Sequence, residues 1–204
     1  MRNVALGVLA LVVAVTIYYS FPGQDWGKQY EAEINQERRT KDDFMRSSAS
    51  SPFGERKKNF MHLNYFPVDL KYRISAKLIP IDNKKVVVLP TSDNAEKKYL
   101  EYAFAEFELN GTVCQLLLLE IMEEGPYRGT LFLAFADATS ANETYGAGRY
   151  LDVKKIPGAS SMLLDFNQSY NPYCAYSENY SCPFPPKENI LKIAVRAGEK
   201  KYHD

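Results

Sequence analysis

The sequence contains little cysteine, and this scarcity excludes two classes of domain. Three cysteines in 204 residues are too few for a disulfide-stabilised scaffold or for a module that holds several zinc ions. A zinc site built on Cys174 and Cys182 needs two further ligands, and His62 and His203 are the only histidines in the chain. We therefore expect no metal site.

An excess of charge of either sign is also absent. Lys and Arg together number 25, Asp and Glu together number 25, and the formal net charge is zero. A nucleic-acid-binding protein would show a basic excess or a basic stripe. The charge balance therefore argues against a nucleic-acid partner.

Sequence motifs for nucleotides and for common hydrolases are missing as well. Gly146-Ala147-Gly148 begins like a dinucleotide-binding motif, but Leu151 stands where the third glycine belongs. The chain has no phosphate-binding P-loop, no Gly-x-Ser-x-Gly and no His-Glu-x-x-His. We expect no cofactor, and the sequence leaves open whether the protein is an enzyme.

Long hydrophobic runs are confined to the N-terminus, where Val4 to Phe21 is almost entirely apolar, small or aromatic. As a helix this run would span roughly 27 Å at about 1.5 Å per residue, enough to cross the hydrocarbon core of a bilayer. Arg2 precedes the run, so the positive-inside rule leaves the N-terminus in the cytoplasm and the body outside it. Residues 1–24 are predicted to be a membrane anchor, with the body on the periplasmic side of a bacterial inner membrane.

Two other interpretations of this run are open. A cleaved signal peptide needs small residues at its cleavage site, and residues 15–20 have no small-x-small pattern. A buried core helix is compatible with a run at the short end of the range for membrane spans.

A charged segment with helical periodicity follows the run. Proline is absent from residues 25–46, and Trp26, Tyr30 and Ile34 recur every four residues. We predict a short amphipathic helix on the membrane-proximal side, ended by the serine-rich stretch 47–52. Residues 25–60 are thus predicted to be a helix and a linker.

Short strands dominate the remainder, residues 61–204. Residues 72–78 and 85–89 flank a short turn and favour a hairpin, and Asn110-Gly111 is a strong hairpin signal between 99–109 and 113–121. Further strands are predicted at 130–136, 144–153, 161–166 and 190–196. About eight short strands without a crossover helix predict a mainly β fold, an antiparallel barrel or sandwich.

Polar side chains gather among aromatic residues towards the C-terminus. At strand spacing Asp137 and Thr139 point the same way, as do Tyr145 and Arg149. The candidate ligand-binding residues are Asp137, Thr139, Tyr145, Arg149, Asp165, Asn167, Tyr170, Asn171, Tyr173 and Glu199.

Several interpretations of this polar set are open. Asp137, Arg149 and Asp165 either converge on a ligand or form a buried ion-pair network that orients strand ends. Aromatic rings interleaved with Asn, Asp and Arg suit a small polar, carbohydrate-like ligand, because rings stack and amides form hydrogen bonds. Clustered carboxylates also suit a hydrolase, and a further hypothesis is a non-catalytic envelope interaction protein.

The cysteines carry separate expectations. Outside the cytoplasm, a disulfide between Cys174 and Cys182 is the default interpretation. A nucleophilic Cys174 would need His62 or His203 beside it. Cys114 lies in an apolar strand and is expected to be a core residue.

An ordered set of motifs resembles one protein family. The motifs are Asn35…Arg38…Lys41-Asp42, Ser51-Pro52-Phe53, Leu63-Asn64-Tyr65-Phe66-Pro67-Val68, Asp137-Ala138-Thr139, Gly148-Arg149-Tyr150, Asp165-Phe166-Asn167, Tyr170-Asn171-Pro172-Tyr173-Cys174-Ala175-Tyr176 and Ala197-Gly198-Glu199. From about residue 34 onwards the chain is similar to the family catalogued as domain of unknown function 1684, a resemblance that implies no activity. Members of that family tend to have Arg-Ala in place of Gln168-Ser169 and a basic residue in place of Ala136. A ligand contact made by those basic residues would be absent here.

Overall fold

The computed structural model describes residues 23–202 of the chain. The predicted membrane anchor, residues 1–24, falls almost entirely outside that range, and its hydrophobic run Val4 to Phe21 lies wholly outside it. Among the described residues, no helix is both long enough and apolar enough to cross a bilayer.

Residues 23–202 contain one α-helix, α1, which runs from Gly23 to Ser47 and confirms the helix predicted from the four-residue periodicity. Tyr30, Ile34 and Met45 are buried, whereas Trp26 is 47% exposed. A helix as highly charged as this one is stabilised chiefly by packing of its apolar stripe against the body.

Eight β-strands follow in the described part of the chain, and all their pairings are antiparallel. They are β1 (Arg73–Pro80), β2 (Val86–Pro90), β3 (Glu96–Leu109), β4 (Thr112–Ile121), β5 (Leu131–Phe132), β6 (Ala134–Phe135), β7 (Arg149–Tyr150) and β8 (Ser161–Asp165). Six strands form one sheet in the order β5-β4-β3-β1-β8, with β2 also paired to β3, and β6 pairs with β7 in a second sheet. The mainly antiparallel β prediction is confirmed. Within residues 23–202 the large sheet is open, because β5 and β8 at its ends do not pair with each other, so the barrel alternative is wrong.

The predicted hairpin between β1 and β2 is not formed. Both strands pair with β3 instead, at successive positions along it. Residues 77–80 of β1 pair with residues 103–106, and residues 86–90 of β2 pair with residues 96–100. β3 is 14 residues long, with a register shift between Glu101 and Ala103, and therefore offers an edge long enough for both. Alternation in the sequence predicted the two strands correctly but carried no information about their partner.

The Asn110-Gly111 hairpin prediction is confirmed. Leu109 pairs with Thr112, and the φ angles of Asn110 and Gly111 are +53° and +74°. Positive φ at both central residues is what a type I′ turn requires, and Asn and Gly adopt it most easily.

Two other predicted strands are mostly irregular. Of residues 144–153, only β7 has strand geometry, and residues 190–196 contain no strand. Leu191 and Val195 are nevertheless buried. The alternation of apolar residues that suggested a strand therefore arises because an irregular segment buries some of its side chains in the core.

The main core lies between the large sheet and a second layer formed by β6, β7 and the segment 189–199. Leu118 and Leu164 of the sheet belong to the same buried cluster as Phe135 and Val195 of this layer. A smaller cluster, which includes Met45 of α1 and Tyr176, fixes the helix against the loops near the C-terminus.

Candidate functional site

Arg149 and Asp137 form a buried ion pair within the second layer. Nη2 of Arg149 lies 2.8 Å from Oδ2 of Asp137, and both side chains are 1% exposed. Oδ1 of Asp137 accepts hydrogen bonds from the backbone N–H and the hydroxyl of Thr139. The guanidinium also donates to three backbone carbonyls, those of Val195, Ala197 and Glu199. Burial lowers the pKa of Arg149, and the Asp137 carboxylate opposes that shift. This pair fastens β7 to the C-terminal segment.

Asp165 contacts Tyr30 of α1 and pairs with Arg73 of β1 at 3.7 Å, and it does not contact Arg149. The Tyr30 hydroxyl lies 2.7 Å from both oxygens of the Asp165 carboxylate and donates to it. Asn167 donates through Nδ2 to the Tyr30 hydroxyl at 3.0 Å and to the Asp69 carbonyl at 2.9 Å. The structure thus brings Asp137 and Arg149 together and uses Asp165 and Asn167 to dock the helix.

Glu199 forms a third buried contact, again with α1. Nζ of Lys41 lies 2.8 Å from Glu199 Oε2, and the glutamate side chain is 1% exposed. Asn171 donates through Nδ2 to Glu199 Oε1 at 3.1 Å, and the Tyr176 hydroxyl donates to the same oxygen. Both candidates Glu199 and Asn171 therefore serve a contact that joins the helix to the C-terminal segment.

An open cleft of about 780 Å³ lies beside this third contact. We call it the tyrosine cleft, because Tyr127, Tyr150, Tyr170, Tyr173 and Tyr180 line it. Lys41 of α1, Lys97 of β3 and Asp152 add charged groups to the same lining. Its walls come from α1, β3, the loop between β4 and β5, β7 with the residues that follow it, and the segment 170–183, and most of these parts are distant in the chain.

The rings of the tyrosine cleft are held in place by defined contacts. Tyr150 and Tyr170 pack edge to face with centroids 6.0 Å apart, and Tyr173 and Tyr180 do so at 5.1 Å. The Tyr170 hydroxyl donates to Asp152 Oδ1 at 2.8 Å. Burial raises the pKa of Tyr170, so its hydroxyl stays protonated at neutral pH. Nζ of Lys41 lies 4.7 Å from the centroid of that ring.

Two neighbouring cysteines border the cleft. Cys182 lines it, and Sγ of Cys182 accepts a hydrogen bond from the backbone N–H of Cys174 at 3.2 Å. The hydroxyl of Tyr145 lies 3.8 Å from Sγ of Cys174. Both cysteines are free thiols in the structure. The hydrogen bond from the Cys182 thiol lowers the pKa of Cys174 to about 6 and raises that of Cys182. The disulfide remains a prediction, and the pair is adjacent as that prediction requires.

The part of the chain that the structure describes contains no cluster of metal-ligating side chains. No group of three or more His, Cys, Asp or Glu side chains is placed there to hold an ion. Cys114 is buried in β4, where the sequence placed it.

The predicted candidates therefore divide into two groups. Tyr170 and Tyr173 line the tyrosine cleft, and Tyr145 contacts the cysteine pair next to it. The other candidates are buried in contacts between protein groups: Asp137, Thr139, Arg149, Asp165, Asn167, Asn171 and Glu199.

Sequence reasoning did not select several residues that line the cleft. Lys41 stood in one of the family motifs and Tyr180 in an aromatic-rich segment, so both left a signal that could have been used. Lys97 and Asp152 lie far from that segment in the sequence, and only the folded chain brings them to it.

Comparison with known proteins places the chain in a family. The model described as "Protein of unknown function (DUF1684)" matches residues 58–200. The solution NMR structure of an uncharacterized protein of Haloarcula marismortui is similar, with a TM-score of 0.64 and 34% sequence identity over 86% of this chain and 96% of that one. No curated protein matches the chain. Because the match extends over well more than half of the chain and includes the motifs from Leu63 onwards, the chain belongs to the DUF1684 family.

Proposed function

We propose that this protein binds a small polar, carbohydrate-like ligand in the tyrosine cleft. The observation that carries the proposal is the combination, in one open cleft, of fixed tyrosine rings with charged hydrogen-bonding groups. A volume of about 780 Å³ lies within the usual range for small-molecule sites.

The chemistry of the lining suits a hydroxylated ring. Tyrosine presents an apolar face and a polar edge, so one side chain can pack against C–H groups and also bond to a hydroxyl. Lys41 and Lys97 supply donors and Asp152 supplies an acceptor around those rings. The edge-to-face contact between Tyr173 and Tyr180 holds two of the rings in a defined orientation before any ligand binds.

The hydrolase alternative has weaker support. Hydrolysis of a glycoside takes two carboxyl groups about 5–10 Å apart at the bond to be cleaved. Asp137, Asp165 and Glu199 each bind protein groups in the interior, and Asp152 is the only carboxylate among the described residues that line the cleft. Binding without catalysis is the simpler function for this lining.

The interaction-protein alternative is favoured only by the burial of the motif residues. A buried ion pair such as that of Asp137 and Arg149 is expected in a protein without a small ligand as much as in one that binds a ligand. The tyrosine cleft is what favours a ligand, since such a protein has no need of an open cleft with charged groups among its rings.

Location forms part of the proposal. Residues 1–24 anchor the chain, and the body with its cleft faces the periplasmic side of a bacterial inner membrane. A saccharide of the cell envelope would be within reach of a cleft in that position.

A saccharide screen on the full-length protein in detergent tests the proposal. A ligand that binds the folded state raises the unfolding temperature, so a panel of neutral and acidic sugars can be ranked by thermal shift. Tyr173→Ala removes one stacking ring and should weaken binding by up to about tenfold. Val113→Ala, which truncates an exposed side chain next to the β3–β4 turn and outside the cleft, is the control. A panel without any stabilising sugar, or full binding by Tyr173→Ala, would contradict the proposal.

A further inference from the structure

A second, smaller cavity of about 120 Å³ lies between α1 and the body. We call it the arginine cavity. Its polar lining includes Glu37, Arg38 and Lys41 of α1, together with Tyr65 and Gln168. Lys41 and Tyr170 line both this cavity and the tyrosine cleft, so the two spaces are neighbours.

Arg38 contributes a guanidinium that is only partly satisfied. Nη1 donates to the Phe66 carbonyl at 3.0 Å, and Nη2 donates to the Asn167 carbonyl at 3.4 Å. Nε is buried and has no hydrogen-bond partner among residues 23–202. Burial lowers the pKa of Arg38, which reflects the free energy needed to hold this charge away from water. Its two hydrogen bonds are to neutral carbonyls, so neither of them neutralises the charge.

Tyr65 contributes a second donor without a partner. Its hydroxyl is buried and finds no hydrogen-bond partner among residues 23–202. The Arg38 guanidinium carbon lies 4.5 Å from the centroid of the Tyr65 ring, so the two side chains are in contact. A buried hydroxyl left without a partner lowers stability, and such groups in native proteins usually bind a water or a ligand.

The other charged groups of the lining already have partners. Lys41 is paired with Glu199, and Glu37 accepts a hydrogen bond from Gln168 Nε2 at 2.9 Å. Within the described part of the chain, two donors therefore lack an acceptor, Arg38 Nε and the Tyr65 hydroxyl. A negatively charged acceptor would satisfy both of them and would also compensate the charge of Arg38.

We propose that the arginine cavity binds a small oxyanion, held by Nε of Arg38 and the hydroxyl of Tyr65, with Lys41 as a second cation nearby. A water molecule takes up about 30 Å³ in the liquid, so the cavity has room for roughly four waters or one tetrahedral oxyanion. The oxyanion is either a free ion or the acid group of a ligand whose ring lies in the tyrosine cleft. The second case rests on the proposed function and would make that ligand an acidic saccharide.

Sulfate binding to the full-length protein in detergent tests the proposal. Sodium sulfate should raise the unfolding temperature more than sodium chloride does at equal ionic strength. Tyr65→Phe should weaken sulfate binding by about tenfold or more, because it deletes a hydrogen bond to a charged group. Without sulfate the same variant should unfold at the wild-type temperature or above it, since no unpartnered hydroxyl remains. Tyr102→Phe, which removes a hydroxyl that lies in neither the tyrosine cleft nor the arginine cavity, should leave sulfate binding unchanged.

Glucuronate and glucose separate the two sources of the oxyanion. If the acid group belongs to a cleft ligand, glucuronate should bind more tightly than glucose, and Tyr65→Phe should abolish that difference. If the ion is free, sulfate binding should still depend on Tyr65, but glucuronate and glucose should bind with equal affinity.

The outcomes for the two proposals can be told apart. If Tyr65→Phe weakens the binding of neither sulfate nor glucuronate, the oxyanion site is overturned, even if neutral sugars bind in the cleft. If Tyr65→Phe weakens sulfate binding but Tyr173→Ala weakens the binding of neither sugar, the oxyanion site stands and the proposed cleft ligand is wrong.

Discussion

At the scale of single residues, buried polar side chains replace much of the regular hydrogen bonding that a complete second sheet would supply. Asn189 is fully buried and donates to the Leu117 carbonyl at 2.9 Å and to the Ala134 carbonyl at 2.8 Å. Its Oδ1 accepts from the backbone N–H of Leu117 at 2.6 Å, so one amide joins β4 to β6. Side chains of this kind satisfy backbone groups that an irregular layer would otherwise leave buried without partners.

The Arg149–Asp137 pair leads to a stability prediction. Arg149→Met keeps the length and most of the apolar contact of the side chain but leaves Asp137 buried without its cation. Removing one member of a buried pair strands the other charge, so the variant should lose about 3–5 kcal/mol of unfolding free energy. Urea denaturation of the wild type and the variant measures the loss.

An exposed ion pair in the same protein provides the control. Arg196 pairs with Glu143 at the surface, where water solvates both groups. Arg196→Met should leave the urea midpoint almost where it is. An Arg149→Met variant as stable as Arg196→Met would show that water reaches Asp137, and the buried-pair interpretation would be wrong.

The cysteine pair gives a redox prediction. If the body lies outside the cytoplasm, Cys174 and Cys182 should be oxidised to each other in protein taken from its native compartment. Alkylation after denaturation, followed by mass spectrometry, should then modify Cys114 alone. The loop between the two cysteines is short, so its contribution should be modest, about 2–3 kcal/mol on the loop-closure model. Three alkylated cysteines would contradict the disulfide.

The reduced protein provides a pH test of the same pair. The hydrogen bond from Cys182 stabilises the Cys174 thiolate, so alkylation of Cys174 should rise as the pH passes through about 6. Cys114, whose pKa is raised by burial, should react only at higher pH or after unfolding. A Cys174 profile with the midpoint of an ordinary thiol would mean that the Cys182 hydrogen bond is not formed in solution.

At the scale of elements, α1 is docked by polar contacts placed along one face. Tyr30 donates to Asp165, Arg38 donates to the Phe66 carbonyl, and Lys41 pairs with Glu199. Both proposed ligand spaces lie where α1 meets the body, because Lys41 lines the two of them. The position of the helix therefore controls the shape of both sites.

Tyr30→Phe tests this docking. The ring and its packing are kept, but the Asp165 carboxylate loses its hydroxyl donor. A hydrogen bond to a charged group contributes about 1.5–3 kcal/mol, so the urea midpoint should fall accordingly. Hydrogen exchange should also become faster in α1, whereas the β3–β4 hairpin should keep its relative protection. Tyr127→Phe at an exposed position is the matched control, and equal stability of the two variants would show that the contact does not hold the helix.

At the scale of the whole molecule, the membrane anchor is the prediction that matters most for function. Full-length protein should remain in the membrane fraction after a high-salt or carbonate wash, because the Val4–Phe21 run is long enough to span the hydrocarbon core. A chain that begins at Asp25 should be recovered in the soluble fraction. Release of the full-length protein by either wash would contradict an integral anchor.

Much of the local structure and the family could be predicted from the sequence, because both depend on residues close together in the chain. The apolar spacing of Tyr30 and Ile34 indicated α1, and the φ preference of Asn110-Gly111 indicated the β3–β4 turn. Alternation revealed most of the antiparallel strands, and the ordered motifs revealed the DUF1684 family.

Partnership and exposure could be decided only by the folded chain. Local alternation is the same whether β2 pairs with β1 or with β3, and it was the length of β3 that decided the matter. Polar residues in a motif look the same whether they face a ligand or each other, and folding buried Asp137 and Arg149 while it left Tyr170 and Tyr173 at an open cleft.

The physical reason is sequence separation. The contact between Lys41 and Glu199 joins residues 158 positions apart, and no periodicity along the chain encodes a contact over such a distance. The tyrosine cleft and the arginine cavity both lie beside contacts of this kind, so their existence follows from packing and not from any single segment.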